Sequence, residues 1–238
     1  MRVHVAFTPD ESGAAPTGIV IDVIRATTTI CQALASGYER VFCTTEVDEA
    51  RALREALGEG VLGGERNAVR IEGFDLGNSP REYLERRDGP LILSTTNGTR
   101  AIVSAALRCE RVLVASLVNL AAVVEAARGE GDDVVVVCAG VQGTLALDDA
   151  YVAGRIVGLL DWERTDASEA AARLAATWTG AEEALRASKS GRNLLVNAPE
   201  LEDDIAFCAR ESVLDVVPRL VALRDGAAEI ALIRAARG

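Results

Sequence analysis

The chain has 238 residues, 49% hydrophobic and only 4% aromatic. That is enough apolar surface for a full core of Val, Leu, Ile and Ala, and it argues against disorder. A net charge of −11 and a pI near 4.7 argue against nucleic acid and membrane as partners. An anionic small molecule would need Arg, backbone N–H groups or a cation at its site to reverse that field.

Strand patterns fall at 3–7, 18–22, 40–44, 60–63, 91–94, 111–115 and 134–138. Helical patterns alternate with them at 28–36, 47–58, 79–87, 99–107, 119–128 and 147–160. This alternation predicts an α/β fold with helices on the faces of a sheet. After residue 160 the pattern turns helical, at 166–177 and 180–188, while 193–210 reads as polar and irregular. The tail, 216–238, fits either a helix or a short strand. No repeat or linker interrupts the chain, so one domain over 1–238 is expected, with a helical, irregular portion from about 161. The cysteines number five, with no C-x-x-C pair, which speaks against a disulfide framework or a structural zinc site. The N-terminus lacks the apolar run of a signal peptide and no stretch approaches the roughly 20 residues of a membrane span, so the cytoplasm is the expected compartment.

In open α/β sheets ligands bind beyond the carboxyl ends of strands, and four polar clusters follow predicted strands. The first is Asp22 with Arg25 and the run Thr27, Thr28, Thr29: a carboxylate for a cation, an arginine and helix N–H groups for phosphate. The second joins Glu65 and Arg66 to Asn78, Ser79 and Pro80. The third is Ser94 to Arg100, with Thr96, Asn97 and Gly98 as an anion cradle. The fourth runs from Cys138 through Gly140 and Gly143 to the pair Asp148 and Asp149, a helix start that suits a hard cation such as Mg²⁺. Each cluster taken alone also reads as an ordinary turn or helix cap.

In this order the clusters resemble the 2-phosphosulfolactate phosphatase (ComB) family. The matching stretches are IDVIRATTTI (21–30), LGGERNAVRIEGFDLGNSP (62–80), STTNGTRAI (94–102), CAGVQGTLALDDAYVAG (138–154), SKSGRNLL (188–195) and DDIAFCAR (203–210). The resemblance implies a three-layer α/β/α fold with a mixed or mostly parallel sheet. It implies Mg²⁺-dependent hydrolysis of 2-phospho-3-sulfolactate, a step of coenzyme M synthesis in some organisms. The expected catalytic residues are Asp22, Arg25, Glu65 and Asp149, and the expected metal ligands come from Asp22, Glu65, Asp148 and Asp149. Thr28, Asn78, Ser79, Thr96, Asn97, Gly98, Gly140 and Arg192 are the expected substrate-binding residues, with Arg66 and Arg192 considered for the sulfonate. The family tends to read F-S-L-E-D-A where this chain has Leu145 to Ala150 as L-A-L-D-D-A, so Asp148 is one methylene shorter than the usual Glu.

Other phosphatase chemistries fit less well. Cys138 has Thr144, not Arg, six positions on, and the only histidine, His4, sits in the first predicted strand. Rival readings are a phosphatase of the same family acting on a different phosphorylated hydroxy acid, and a non-catalytic anion- or nucleotide-binding module. A homodimer is plausible on general grounds, since soluble enzymes commonly associate with two-fold symmetry.

Overall fold

A computed structural model of the protein describes residues 1–11, 13–224 and 226–232. In chain order the strands are β1 Arg2–Ala6, β2 Thr17–Ile21, β3 Arg40–Thr44, β4 Val61–Arg66, β5 Val69–Arg70, β6 Leu91–Ser94, β7 Arg111–Ala115, β8 Val134–Cys138, β9 Glu163–Arg164, β10 Pro218–Arg224 and β11 Ala227–Leu232. The helices are α1 Ala26–Ala35, α2 Val47–Leu57, α3 Gly98–Ala106, α4 Leu120–Glu130, α5 Leu147–Leu160, α6 Asp166–Ala176, α7 Ala181–Ala187, α8 Lys189–Asn197 and α9 Asp203–Cys208.

Among the described residues the strands form one mixed sheet in the order β5-β4-β6-β3-β11-β10-β7-β2-β8-β1-β9. β7, β2, β8, β1 and β9 run parallel to one another, as do β4, β6 and β3. Antiparallel pairings at β3–β11, β11–β10 and β10–β7 separate these groups, which therefore run in opposite senses. Residues at or beyond the carboxyl ends of β2 and β8 from one group and β4 and β6 from the other nevertheless meet in one place.

The layers follow from strand alternation. Ile19, Ile21, Val134 and Val136 face α4, α5 and α6 on one side, while Val20, Val135 and Val137 pack with Ile30, Leu34, Ala101 and Ile102 of α1 and α3 on the other. Phe42, Leu62 and Ile92 meet α2. The sandwich is thus a three-layer α/β/α arrangement, as the family resemblance implies. No helix among the described residues is long and apolar enough to cross a membrane.

Two expectations need correction, and the choice left open for the tail falls to strands. Residues 79–87 form only a 3₁₀ turn, Pro80–Tyr83. Leu84 is exposed and the segment offers no apolar stripe, so nothing sustains a longer helix; instead Tyr83 Oη donates to the Gly77 carbonyl at 2.7 Å. The segment 193–210 is mostly helical, because Ser188 caps α8 by accepting from the Gly191 N–H at 2.9 Å and α9 buries Ile205, Phe207 and Cys208. The tail is a hairpin inserted into the middle of the sheet; Asp225 and residues 233–238 lie outside the described residues.

Helices α5 and α6 pack at backbone distance. A Cβ on Gly154 would lie 2.1 Å from the Ala171 carbonyl oxygen and 2.7 Å from Ala175 Cβ. Gly154→Ala therefore forces the helices apart and is expected to cost about 1–3 kcal/mol in urea unfolding; unchanged stability would show that α6 yields freely.

Candidate active site

The loops after β2, β6 and β8 and the end of β4 open onto one cavity of about 140 Å³, closed on another side by α8. Asp22, Arg25, Glu65, Asn78, Thr96 and Asn97 line it. Each is held there by identifiable local chemistry.

Asp22 follows β2 directly. The Thr27 hydroxyl accepts the Asp22 N–H at 3.1 Å and donates to the Asp22 carbonyl at 2.9 Å, fixing the turn into α1. Thr28 Oγ1 donates to the Val23 carbonyl at 2.8 Å and meets Ser116 Oγ at 2.6 Å, while Thr29 Oγ1 donates to the Asn78 carbonyl at 2.9 Å. The threonine run thus ties elements together from inside, and Thr28 is not on the cavity wall. Gly98 opens α3 against the carboxylate: a Cβ there would lie 2.6 Å from Ala26 Cβ and 2.9 Å from Asp22 Oδ2.

Asp149 acts as a clamp. Its Oδ1 accepts the Val23 N–H and its Oδ2 the Gly140 N–H, both at 3.0 Å, so the loops after β2 and β8 are pinned to one carboxylate. Asp148 Oδ1 accepts from Ser190 Oγ at 3.2 Å. Neither aspartate, nor Gly140, lies on the cavity lining itself. Glu65 binds across the cavity: Oε2 accepts the Ala68 N–H at 2.8 Å, and Oε1 accepts the Thr96 hydroxyl at 3.0 Å. Ala68 can present that N–H because Asn67 and Ala68 form the two-residue β4–β5 turn with φ of 53° and 69°, a left-handed pair that Asn accepts readily and Ala does not.

Arg25 is buried and bonds groups far from it in sequence. Its Nη1 donates to Asp204 Oδ2 at 2.8 Å and its Nη2 to the Ala68 carbonyl at 3.0 Å. Ser79 Oγ donates to the other Asp204 oxygen at 2.6 Å, which places Ser79 behind the cavity. Asn78, 4% exposed, lines the cavity with its Oδ1 buried and without a partner among the described residues. Arg192 is exposed on the outer side of α8 and bonds the Ala187 carbonyl. The Arg66 guanidinium is taken up by the carbonyls of Thr45, Ser94 and Glu65. Both arginines considered for a sulfonate thus lie off the lining.

The wall supplied by α8 escaped the sequence reading. Ser190, Asn193, Leu194 and Asn197 line the cavity at helical spacings of three, four and seven. The Ser188 cap followed by that spacing was the available signal. The chain's only lysine, Lys189, stands at the start of α8 and donates to Gln142 Oε1 of the loop after β8.

Crowded carboxyls dominate the electrostatics. Burial pushes Asp22 up to about 7, with Asp148 and Glu65 adding to the rise and the Ala26 N–H and Arg25 opposing it. Burial likewise raises Asp148 to about 6, against hydrogen bonds that include Ser190. Asp149 is raised by burial and by the charges of Asp148 and Asp22. Burial also drives the Cys138 thiol well up, with Asp149 and Asp148 adding to it; it stays protonated and is a poor nucleophile. A wider depression of about 630 Å³ over α5 and α6 holds none of these groups, and its Arg155 and Arg173 are paired with Glu211 and Glu169.

Two predictions follow from this geometry. Asp149→Asn turns one acceptor into a donor facing a backbone N–H, and should cost about 1–3 kcal/mol in chemical unfolding; parental stability would remove the clamp. The second concerns pH. Asp22 and Asp148 rise from 3.8 to about 7 and about 6 on folding, so the folded chain holds their protons more tightly. Their contribution to stability is full below about pH 4 and is lost as pH climbs through 6 and 7. In chelator, the melting temperature should fall over that window, and Asp22→Asn should flatten the fall; an unchanged slope would contradict the crowding.

The pattern of the 2-phosphosulpholactate phosphatase family matches residues 5–222. A protein of Synechococcus sp. (strain JA-3-3Ab), named probable 2-phosphosulfolactate phosphatase, is 40% identical over 237 residues, covering 93% of this chain and 96% of the relative. Proteins of the same name from Thermotoga petrophila and Symbiobacterium thermophilum are 38% and 40% identical over 223 and 225 residues, covering 92% and 90% of this chain and 95% of each relative. With matches of this extent over one cavity built from the family's own motif stretches, the chain belongs to the 2-phosphosulfolactate phosphatase family.

Proposed function

We propose that the protein is a Mg²⁺-dependent phosphoric monoester hydrolase of the cytoplasm that converts 2-phosphosulfolactate to sulfolactate and phosphate. The observation that carries this reading is the buried carboxyl of Asp22, crowded by the charges of Asp148 and the half-buried Glu65 beside one arginine at the cavity. The names of the relatives supply the substrate.

Among the described residues, no three His, Cys, Asp or Glu side chains form a ready cage. Mg²⁺ does not need one: it is usually held by one or two carboxylates, with waters and substrate phosphate completing the shell. The donors here are all oxygens, and the unpartnered Asn78 Oδ1 points to a missing hydrogen-bond donor, such as a water held by the ion. The residues fit.

Asp22, with Asp148 or Glu65, would hold the ion, which when bound supplies charge neutralisation at the phosphate and an oriented water. Arg25 donates to the transferring phosphoryl group, and the start of α3 at Asn97 and Gly98 offers amides to its oxygens, the Thr96 N–H being taken by Glu65. A carboxylate free of the ion accepts the proton of the attacking water. The α8 wall of Ser190, Asn193 and Asn197 reads the remainder of the ester. Asp149 keeps the loops in register.

One observation favours a second reading, a different phosphorylated hydroxy acid as substrate: the guanidinium groups of Arg66 and Arg192 are engaged away from the cavity. Phosphate release from 2-phosphosulfolactate and from a panel of phosphorylated hydroxy acids, with Mg²⁺ and with chelator, decides. We expect release that prefers the sulfonate ester and is abolished by chelation. Release indifferent to chelator would overturn the cation, and no preference for the sulfonate would favour the second reading.

A further inference from the structure

We infer that Asp204 is a positioning residue: through its bond to Arg25 it sets the guanidinium against the phosphate of the substrate. The inference rests on the reading above that Arg25 meets that phosphate.

Asp204 is fully buried, and both of its oxygens are used. Oδ2 accepts from Arg25 Nη1 at 2.8 Å and Oδ1 accepts from Ser79 Oγ at 2.6 Å. The pair joins residues 179 apart in sequence, so the α9 segment is folded back onto the turn after β2. An exposed ion pair, Arg81 to Asp203 at 3.2 Å, fastens α9 to the turn after Ser79. A second bond, Arg25 Nη2 to the Ala68 carbonyl, fixes the guanidinium in its plane.

Stability alone does not account for this arrangement. A buried ion pair is often no better than apolar packing of the same volume, because removing two charges from water offsets their attraction. What it does provide is a defined orientation. A guanidinium carries five N–H donors; two are anchored to protein, and the side chain lines the cavity. Without Asp204 the same charge would remain but its direction would not.

The test compares Asp204→Asn, Ser79→Ala and Arg25→Ala in the full chain with Mg²⁺, reading kcat, KM, melting temperature and the inhibition constant of inorganic phosphate. Arg25→Ala should lose at least about 100-fold in kcat. Asp204→Asn should lose roughly 100-fold, the scale of a misplaced catalytic group, and Ser79→Ala roughly five-fold, the scale of one hydrogen bond. Phosphate inhibition should weaken in the same order, a change that a purely structural role would not produce in folded protein. If Asp204→Asn does not fold, Ser79→Ala decides by itself. Parental kcat and phosphate inhibition in the folded Asp204 and Ser79 variants, with Arg25→Ala impaired, would overturn the positioning role and leave the site intact. Parental turnover in Arg25→Ala would instead remove Arg25 from the site, and the inference with it.

Discussion

The site is governed by an excess of buried negative charge. Asp22 after β2, Glu65 at the end of β4 and Asp148 and Asp149 in the first turn of α5 repel one another through Asp22, and the arginine beside them, Arg25, is paired with Asp204. Such a group is unfavourable unless protons or a cation compensate it. The raised pKa values of Asp22 and Asp148 express the first alternative; a bound divalent ion is the second. On the proposed reading, the same charge makes the site selective, because a cation held by the carboxyls would reverse the local field for an anionic ester.

The framework around the carboxyls explains how they are held against their repulsion. Backbone N–H groups do most of the holding: Val23 and Gly140 on Asp149, Ala68 on Glu65. One connected path runs from Ser79 and Asp204 through Arg25 and the Ala68 carbonyl to Glu65 and Thr96. It links α9, the turn into α1, the β4–β5 hairpin and the entry to α3. The left-handed conformation of Ala68 is the local cost of that path, in which one residue presents its carbonyl to Arg25 and its N–H to Glu65.

Much of this was legible in the sequence. Strands at 40–44, 91–94, 111–115 and 134–138 were placed to the residue, because short β-branched runs bounded by turns leave few alternatives. Asp22, Arg25, Glu65, Asn78, Thr96 and Asn97, which lie in polar clusters after strands and were singled out by the family resemblance, all line one cavity. What the sequence hid were long-range partners. Arg25 looks like a neighbour of Asp22, yet its bond goes to Asp204, far along the chain. The polar composition of 193–210 masked the end of α8, whose Asn193 and Asn197 stand at the cavity rim while Leu194 is buried. Thr28 and Arg192 were chosen for their chemistry, but a hydroxyl or a guanidinium is as readily consumed by a nearby carbonyl as by a ligand, and only packing decides which.

The central claim is that a cation must reverse the field of the carboxyls before phosphate can bind. Isothermal titration with inorganic phosphate at pH 7.5, on protein freed of metal and then supplied with Mg²⁺, addresses it without any turnover. The account predicts no measurable heat of phosphate binding in the metal-free protein and clear binding once Mg²⁺ is present. Equal phosphate affinity in both conditions would contradict it.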